Sequence, residues 1–279
     1  MSVDERLAAI VTGLDSVGAA SLIMGGHAVR FYGLQRNTID FDLHLAPDRW
    51  GDLPELLWRT NLFSKGLPVE GESWRPASFR RFQIGRLPDG REEWLEFWRS
   101  NHLLPAFDQL YGRREIGRYG GQMLPFLSLP DLIRSKETER DFDWHDVATL
   151  EEFLDARNFV QVEAGKLDAA AALSKLRSRV GLERFLQANR LKDVDVVSRA
   201  LSSADNLISQ AILLPFAPSA PLADVVPVLE PLVISRLRRM PAASSLHLAL
   251  IEAARRQYRN HRQAVDKADK QAVRREQAK

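Results

Sequence analysis

Asp40 and Asp42 stand two residues apart in the run "TIDFDLHL", interleaved with Ile39, Phe41, Leu43 and Leu45. This alternation has the period of a β-strand, with the apolar residues on one face and Asp40, Asp42 and His44 on the other. Burying carboxylates is costly unless a partner or a metal compensates them. Two carboxylates on one strand face can share one or two divalent cations, and Mg²⁺ is commonly held by one or two carboxylates together with substrate phosphates. An Asp-x-Asp pair can also line the wet face of an edge strand, so its surroundings decide.

Just upstream, "SLIMGGHAVRFYG" reads as a short buried strand over 21–24 that stops at Gly25-Gly26. One or two helical turns follow, ended by Gly33. Such a turn exposes backbone N–H groups beside a helix N-terminus, which suits phosphate oxygens. A tight turn with no ligand would use the same glycines. A carboxylate pair beside a phosphate-binding turn is the equipment of in-line phosphoryl or nucleotidyl transfer.

These residues resemble a known signature. Gly25-Gly26-His27-Ala28, then Gly33, Arg36, Thr38, Asp40 and Asp42 are similar to the motif of the nucleotidyltransferase superfamily with the DNA polymerase beta-like fold. The match is closest to the AbiEii-like, minimal-type bacterial nucleotidyltransferases of toxin–antitoxin and abortive-infection systems. The motif covers about 20 residues, and a looser likeness extends to about residue 156. The resemblance implies Mg²⁺ or Mn²⁺ at Asp40 and Asp42, and a nucleoside triphosphate substrate cradled by Gly25 and Gly26. It also implies a third carboxylate from a later strand. Glu96 in "WLEFW" fits that position, where relatives usually carry Asp. His27 stands where relatives often carry Ser; its ring could donate to a phosphate or simply pack. Arg36 is expected to contact triphosphate or order the loop, Thr38 to support the turn into the strand, and Lys136 to reach the nucleotide phosphates. Asp143 and Asp146 follow Lys136; Asp143 could instead cap the next helix.

The elements that would position these residues are legible in part. Ser2 and Glu5 form a capping box ahead of an apolar stripe of Leu7, Ile10, Val11 and Leu14. A helix is expected around 50–60. "RRFQIG", the turn "LPDG" and "REEWLEFW" read as a hairpin. Ser128 opens a helix with Asp131 three residues on, and another helix spans Trp144–Ala156. Beyond about residue 158 the chain turns Ala- and Leu-rich with no convincing strand. Five prolines lie between Pro215 and Pro231, ahead of a last helix in "SSLHLALIEAARRQYRNHRQ". The expected architecture is α+β, a mixed sheet with flanking helices over 1–157, followed by an all-α domain over 158–279 ending in a basic helix.

The 279 residues contain no cysteine, which excludes disulfides, thiolate zinc sites and cysteine nucleophiles. The six histidines show no metal-ligand spacing, and no P-loop or Gly-x-Ser-x-Gly element occurs. Acidic residues in "MSVDERLAAIV" argue against a signal peptide, and no apolar run approaches a membrane span, so a cytoplasmic protein with no membrane partner is expected. Net charge is +2, yet Arg255–Lys279 carries nine Lys or Arg against three Asp or Glu. That tail could touch nucleic acid or be a solvated helix. Two classes of function follow. One is an enzyme moving a nucleoside monophosphate to a hydroxyl of RNA (tRNA among them), of a protein, or of a small antibiotic-type molecule, with a cognate antitoxin as a possible partner. The other is a degenerate nucleotide- or partner-binding module.

Overall fold

The computed structural model describes residues 2–63, 68–73, 77–101, 103–138, 141–204, 207–213 and 216, with isolated helical positions between 256 and 274. The chain divides into two compact units, Met1–Glu137 with Ala272–Lys279, and Thr138–Gln271.

In the first unit, α1 (Val3–Ser16) opens with the expected capping box: Ser2 accepts from the Glu5 N–H while the Glu5 carboxylate accepts from the Ser2 N–H. Its buried stripe is Leu7, Ala8, Ile10, Val11 and Leu14. Then come β1 (Ser21–Ile23), α2 (Gly25–Phe31) and β2 (Phe41–Leu45). A 3-10 turn (Pro47–Arg49) leads to α3 (Leu53–Arg59). Next are β3 (Val69–Glu70), β4 (Phe79–Arg86), β5 (Glu92–Trp98), α4 (Phe107–Gly112), β6 (Glu115–Tyr119), β7 (Gln122–Phe126) and α5 (Leu129–Ser135).

The seven strands form one sheet in the order β3-β4-β5-β2-β1-β7-β6. It is mixed, as expected: β2 runs parallel to β5 and β1 to β7, while the other neighbours are antiparallel. The expected hairpin is β4–β5, closed by Leu87–Gly90, with Gly90 at φ +87°. Phe41, Leu43, Leu95 and Phe97 are fully buried on adjacent strands, and each such side chain contributes about 1.5–3 kcal/mol relative to exposure. Against this layer Arg6 of α1 reaches the buried Glu93 carboxylate at 2.6 Å.

Two local features depart from expectation. The strand around the aspartates begins at Phe41, not Ile39, and Asp40 lies in a bend. The cause is a loss of neighbours. Met24 N–H donates to Asp42 O at 3.0 Å, but the chain then turns away into α2, so β1 offers Asp40 nothing to pair with. The β6–β7 hairpin is absent from the sequence reading. Its two-residue loop is Gly120-Gly121, both at positive φ (+55° and +82°), the geometry of a primed turn.

The second unit is helical among its described residues: α6 (Asp141–Glu163), α7 (Ala169–Leu173), α8 (Arg179–Gln187), α9 (Val194–Ser203) and α10 (Leu207–Leu213). The helix expected over Trp144–Ala156 is thus longer and continuous. Phe185, Leu173, Leu176, Val197 and Ile212 form the unit's core. Asp155, 1% exposed, accepts from the N–H groups of Ser178 at 2.6 Å and Arg177 at 3.0 Å, which ties α6 to the start of α8. The proline-rich stretch lies outside the described residues, as does most of the last helix and of the basic tail. Among the described residues no helix is long and apolar enough to cross a membrane.

Replacing Asp155 with Ala strands one buried and one part-buried N–H group. It is expected to cost at least about 2 kcal/mol, read as a lowered urea midpoint for loss of helical signal.

Candidate active site

The carboxylates meet through strand register. On the parallel pair β2–β5, Asp42 is the partner of Glu96, so both side chains leave the same face of the sheet. Both are half-buried, and the two carboxyl groups hydrogen-bond to one another. Asp40, in the bend before β2, joins the cluster from the side, where the Trp94 N–H favours its charged form. Its Oδ1 is buried with no hydrogen-bond partner. Thr38 Oγ1 donates to Asp40 O at 3.4 Å, which ties the approach to the strand.

Crowding like charges out of water raises proton affinity. Burial, then the Asp42 carboxylate, then its hydrogen bond and Asp40 push Glu96 up to about 9, with Arg81 opposing. Burial, then Asp42, hold Asp40 above the usual carboxylate range, opposed by the Trp94 N–H and Arg81. Among the described residues no three His, Asp or Glu side chains already stand as an ion-holding group; Asp42 and Glu96 close on each other instead.

The glycine turn abuts this cluster. Gly25 has φ +60°, and a Cβ built on it would collide with Asp42 Oδ2. A Cβ on Gly26 would collide with Thr38 Oγ1. Both glycines are therefore needed for the turn to sit directly against the Asp42 carboxylate and the segment that carries Asp40.

The remaining candidate residues lie in surroundings of their own. His27 is fully buried, stacks on Phe41 with ring centroids 5.2 Å apart, and its Nδ1 lies 2.8 Å from the Tyr119 hydroxyl. Burial lowers its pKa to about 4, so it is a neutral packing group behind the turn. Asp4 completes this backing by bonding the Tyr119 hydroxyl at 2.9 Å and Arg30 at 2.8 Å. His44 shares the face of Asp42 but is 1% exposed and packed by Phe107, with its pKa lowered to about 4 by burial. Lys136 is the C-cap residue of α5 and is 5% exposed, so its stem is packed and not extended into solvent. Arg36 lies half-exposed in the segment between α2 and β2. In the second unit Asp143 is buried and accepts from Thr138 Oγ1 at 2.6 Å, and Asp146 is buried as well.

The sequence reading missed Arg81. It pairs across β4–β5 with Glu96, and its guanidinium lies 4.4 Å from the Trp94 ring centroid. The signal available was an arginine in one arm of a readable hairpin, but its partner depends on the exact register.

No known protein family's model matches the chain, and no curated protein matches it. Solved structures with a similar chain course include an antigenic nucleotidyltransferase-like protein from Paracoccidioides brasiliensis. That match has 17% identity and a TM-score of 0.36, and it covers 54% of this chain and 76% of that one. A lincomycin-bound lincosamide antibiotic adenylyltransferase, LnuA, is 15% identical over 52% of this chain and 94% of its own, with a TM-score of 0.38. The Helicobacter pylori protein JHP933 is 16% identical over 96% of this chain and 95% of its own, with a TM-score of 0.36. At such identities and scores, the function of this chain has to be read from its own site.

Two outcomes follow from the geometry. Gly25→Ala adds a strained backbone and a clash with Asp42, and is expected to lower stability by about 1–3 kcal/mol in a urea titration. Glu96 binds its proton more tightly folded than unfolded. Its contribution to stability is therefore full below about pH 4.5 and is lost as pH rises towards 9. Glu96→Gln should accordingly raise the melting temperature of chelator-treated protein at pH 8 and flatten its dependence on pH between 5 and 9.

Proposed function

We propose that this chain is a metal-dependent nucleotidyltransferase, moving a nucleoside monophosphate from a nucleoside triphosphate to a hydroxyl acceptor. The observation that carries the reading is the Asp42–Glu96 register pair with the side-chain-free Gly25 packed on Asp42. A cluster that only stabilised the fold would not set carboxylates side by side, where Asp42 raises the proton affinity of Glu96 and of Asp40.

The donor set suits a hard divalent cation such as Mg²⁺ or Mn²⁺: carboxylate oxygens from Asp40, Asp42 and Glu96, one of them, Asp40 Oδ1, buried and unpartnered. Bound there, the cation would supply charge neutralisation and Lewis-acid polarisation of the phosphoryl oxygens. The chain supplies the rest. The Gly25-Gly26 turn gives the β- and γ-phosphates close approach to backbone N–H groups, with Arg36 at hand in the following segment and Thr38 fixing the turn into β2. His27 and Tyr119 hold that turn from behind, and the buried Lys136 belongs to the supporting framework.

In the reaction the acceptor hydroxyl oxygen bonds to the α-phosphorus, the bond from that phosphorus to the α–β bridging oxygen breaks, and pyrophosphate leaves with the electron pair. The hydroxyl proton passes to Glu96. Glu96 can take it only when ionised, so turnover requires Glu96 to be deprotonated against its raised proton affinity.

The motif's likeness to AbiEii-like proteins extends the proposal to a toxin–antitoxin or phage-defence effector with RNA or protein as acceptor. Residues 1–157 would carry the chemistry, and 158–279 would select the acceptor. The test is incubation with each labelled nucleoside triphosphate, Mg²⁺ and total cellular RNA or protein. Incorporation is expected with at least one triphosphate, falling by at least roughly 10²–10³-fold in Asp40→Ala and in Asp42→Ala. Wild-type protein that binds triphosphate but releases no pyrophosphate with any acceptor would instead mark a binding module.

A further inference from the structure

The sheet sets the candidate chemistry out in a row. β1 ends in the glycine turn against Asp42; Asp42 on β2 pairs with Glu96 on β5; Glu96 pairs with Arg81 on β4. Neighbouring strands lie about 4.8 Å apart, so Arg81 leaves the backbone about 10 Å from Asp42, on the far side from the glycines. Two features that suit anions thus flank the carboxylates at opposite ends.

Arg81 is held for use. Its Nε donates to Glu72 O at 2.9 Å, and its guanidinium plane lies over the Trp94 ring at 4.4 Å from the centroid. Neither contact consumes the terminal amino groups. Its charge is felt at both Asp40 and Glu96, yet among the described residues no carboxylate stands at ion-pairing distance from it. A planar fork fixed by stacking on an aromatic ring suits two-point recognition of phosphate or carboxylate, with little side-chain entropy left to lose.

We infer that Arg81, laid on Trp94, binds a phosphate group of the acceptor, carried close to the hydroxyl that reacts. This rests on the nucleotidyl-transfer reading, in which the glycine turn takes the leaving phosphates and Glu96 faces the attacking hydroxyl. The acceptor then approaches from the Arg81 side of Glu96, and the site favours a phosphorylated or polyanionic acceptor over a neutral or cationic hydroxyl compound.

The test uses the full chain and its Arg81→Met variant, with binding followed by fluorescence anisotropy and competition. The probes are a labelled nucleoside triphosphate, a short 3′-hydroxyl oligoribonucleotide, the same oligomer with a neutral methylphosphonate as its last linkage, and glycerol 3-phosphate. Arg81→Met is expected to weaken the ordinary oligomer, glycerol 3-phosphate or both by roughly 10- to 100-fold, while triphosphate and methylphosphonate binding stay unchanged. Loss confined to the oligomer points to a polymeric acceptor, and loss that includes glycerol 3-phosphate to a phosphate of any source. Equal loss for the triphosphate would overturn the inference by assigning Arg81 to the nucleotide, and no loss for either phosphate-bearing probe would reduce the Arg81–Trp94 pair to sheet packing. Failure of the wild type to bind any triphosphate would defeat the nucleotidyl-transfer reading while the acceptor probes remain readable. Should Arg81→Met not fold, Arg81→Lys keeps the charge without the fork and is read against the same outcomes.

Discussion

The constraint on which the rest of the site depends is electrostatic. Two carboxylates, Asp42 and Glu96, are forced into register on neighbouring parallel strands and share a hydrogen bond in the interior of the sheet. Left ionised and alone, they would repel in a medium that screens them poorly. Each surrounding feature answers that repulsion or exploits it. The Trp94 N–H and the Arg81 guanidinium on the next strand both favour the charged form of Asp40, and Arg81 does the same for Glu96.

Geometry around the cluster is correspondingly unforgiving. The glycine turn approaches so closely that no side chain fits at Gly25, and the turn is buttressed from below by His27, Tyr119 and Asp4. These buttressing groups are polar but do not face a ligand; their hydrogen bonds knit α1, α2 and β6 into one support. A histidine in a glycine-rich turn is thus explained by packing, with burial keeping it uncharged.

Much of this was legible in the sequence wherever the information was local. The Asp40–Asp42 spacing, the glycine pair, the capping box and the β4–β5 hairpin depend on neighbours within a few residues, and each was read close to its true place. Glu96 could be singled out because it alone interrupts an apolar run; Glu93, three residues earlier, points to the other face and is taken by Arg6. Three features were out of reach. Asp40 lies outside the strand because β1 turns away, which is a tertiary fact. The arms of β6–β7 leave Ile116 50% exposed and Met123 63% exposed, so no apolar alternation betrayed them, although Gly120-Gly121 was a turn signal. Arg81 meets Glu96 only through a pairing register that shifts between Gln83 and Gly85.

That irregularity also bears on how the chain reaches its fold. Strand faces alternate residue by residue, so a one-place slip of β5 would drive Glu96 and Trp94 into the apolar layer and expel Leu95 and Phe97. A misaligned hairpin would therefore bury an unpartnered acid and lose its Arg6–Glu93 tie at the same moment. The charged residues of β5 thus make wrong alignments of this hairpin costly, and the native register is the one that keeps them paired or at the surface.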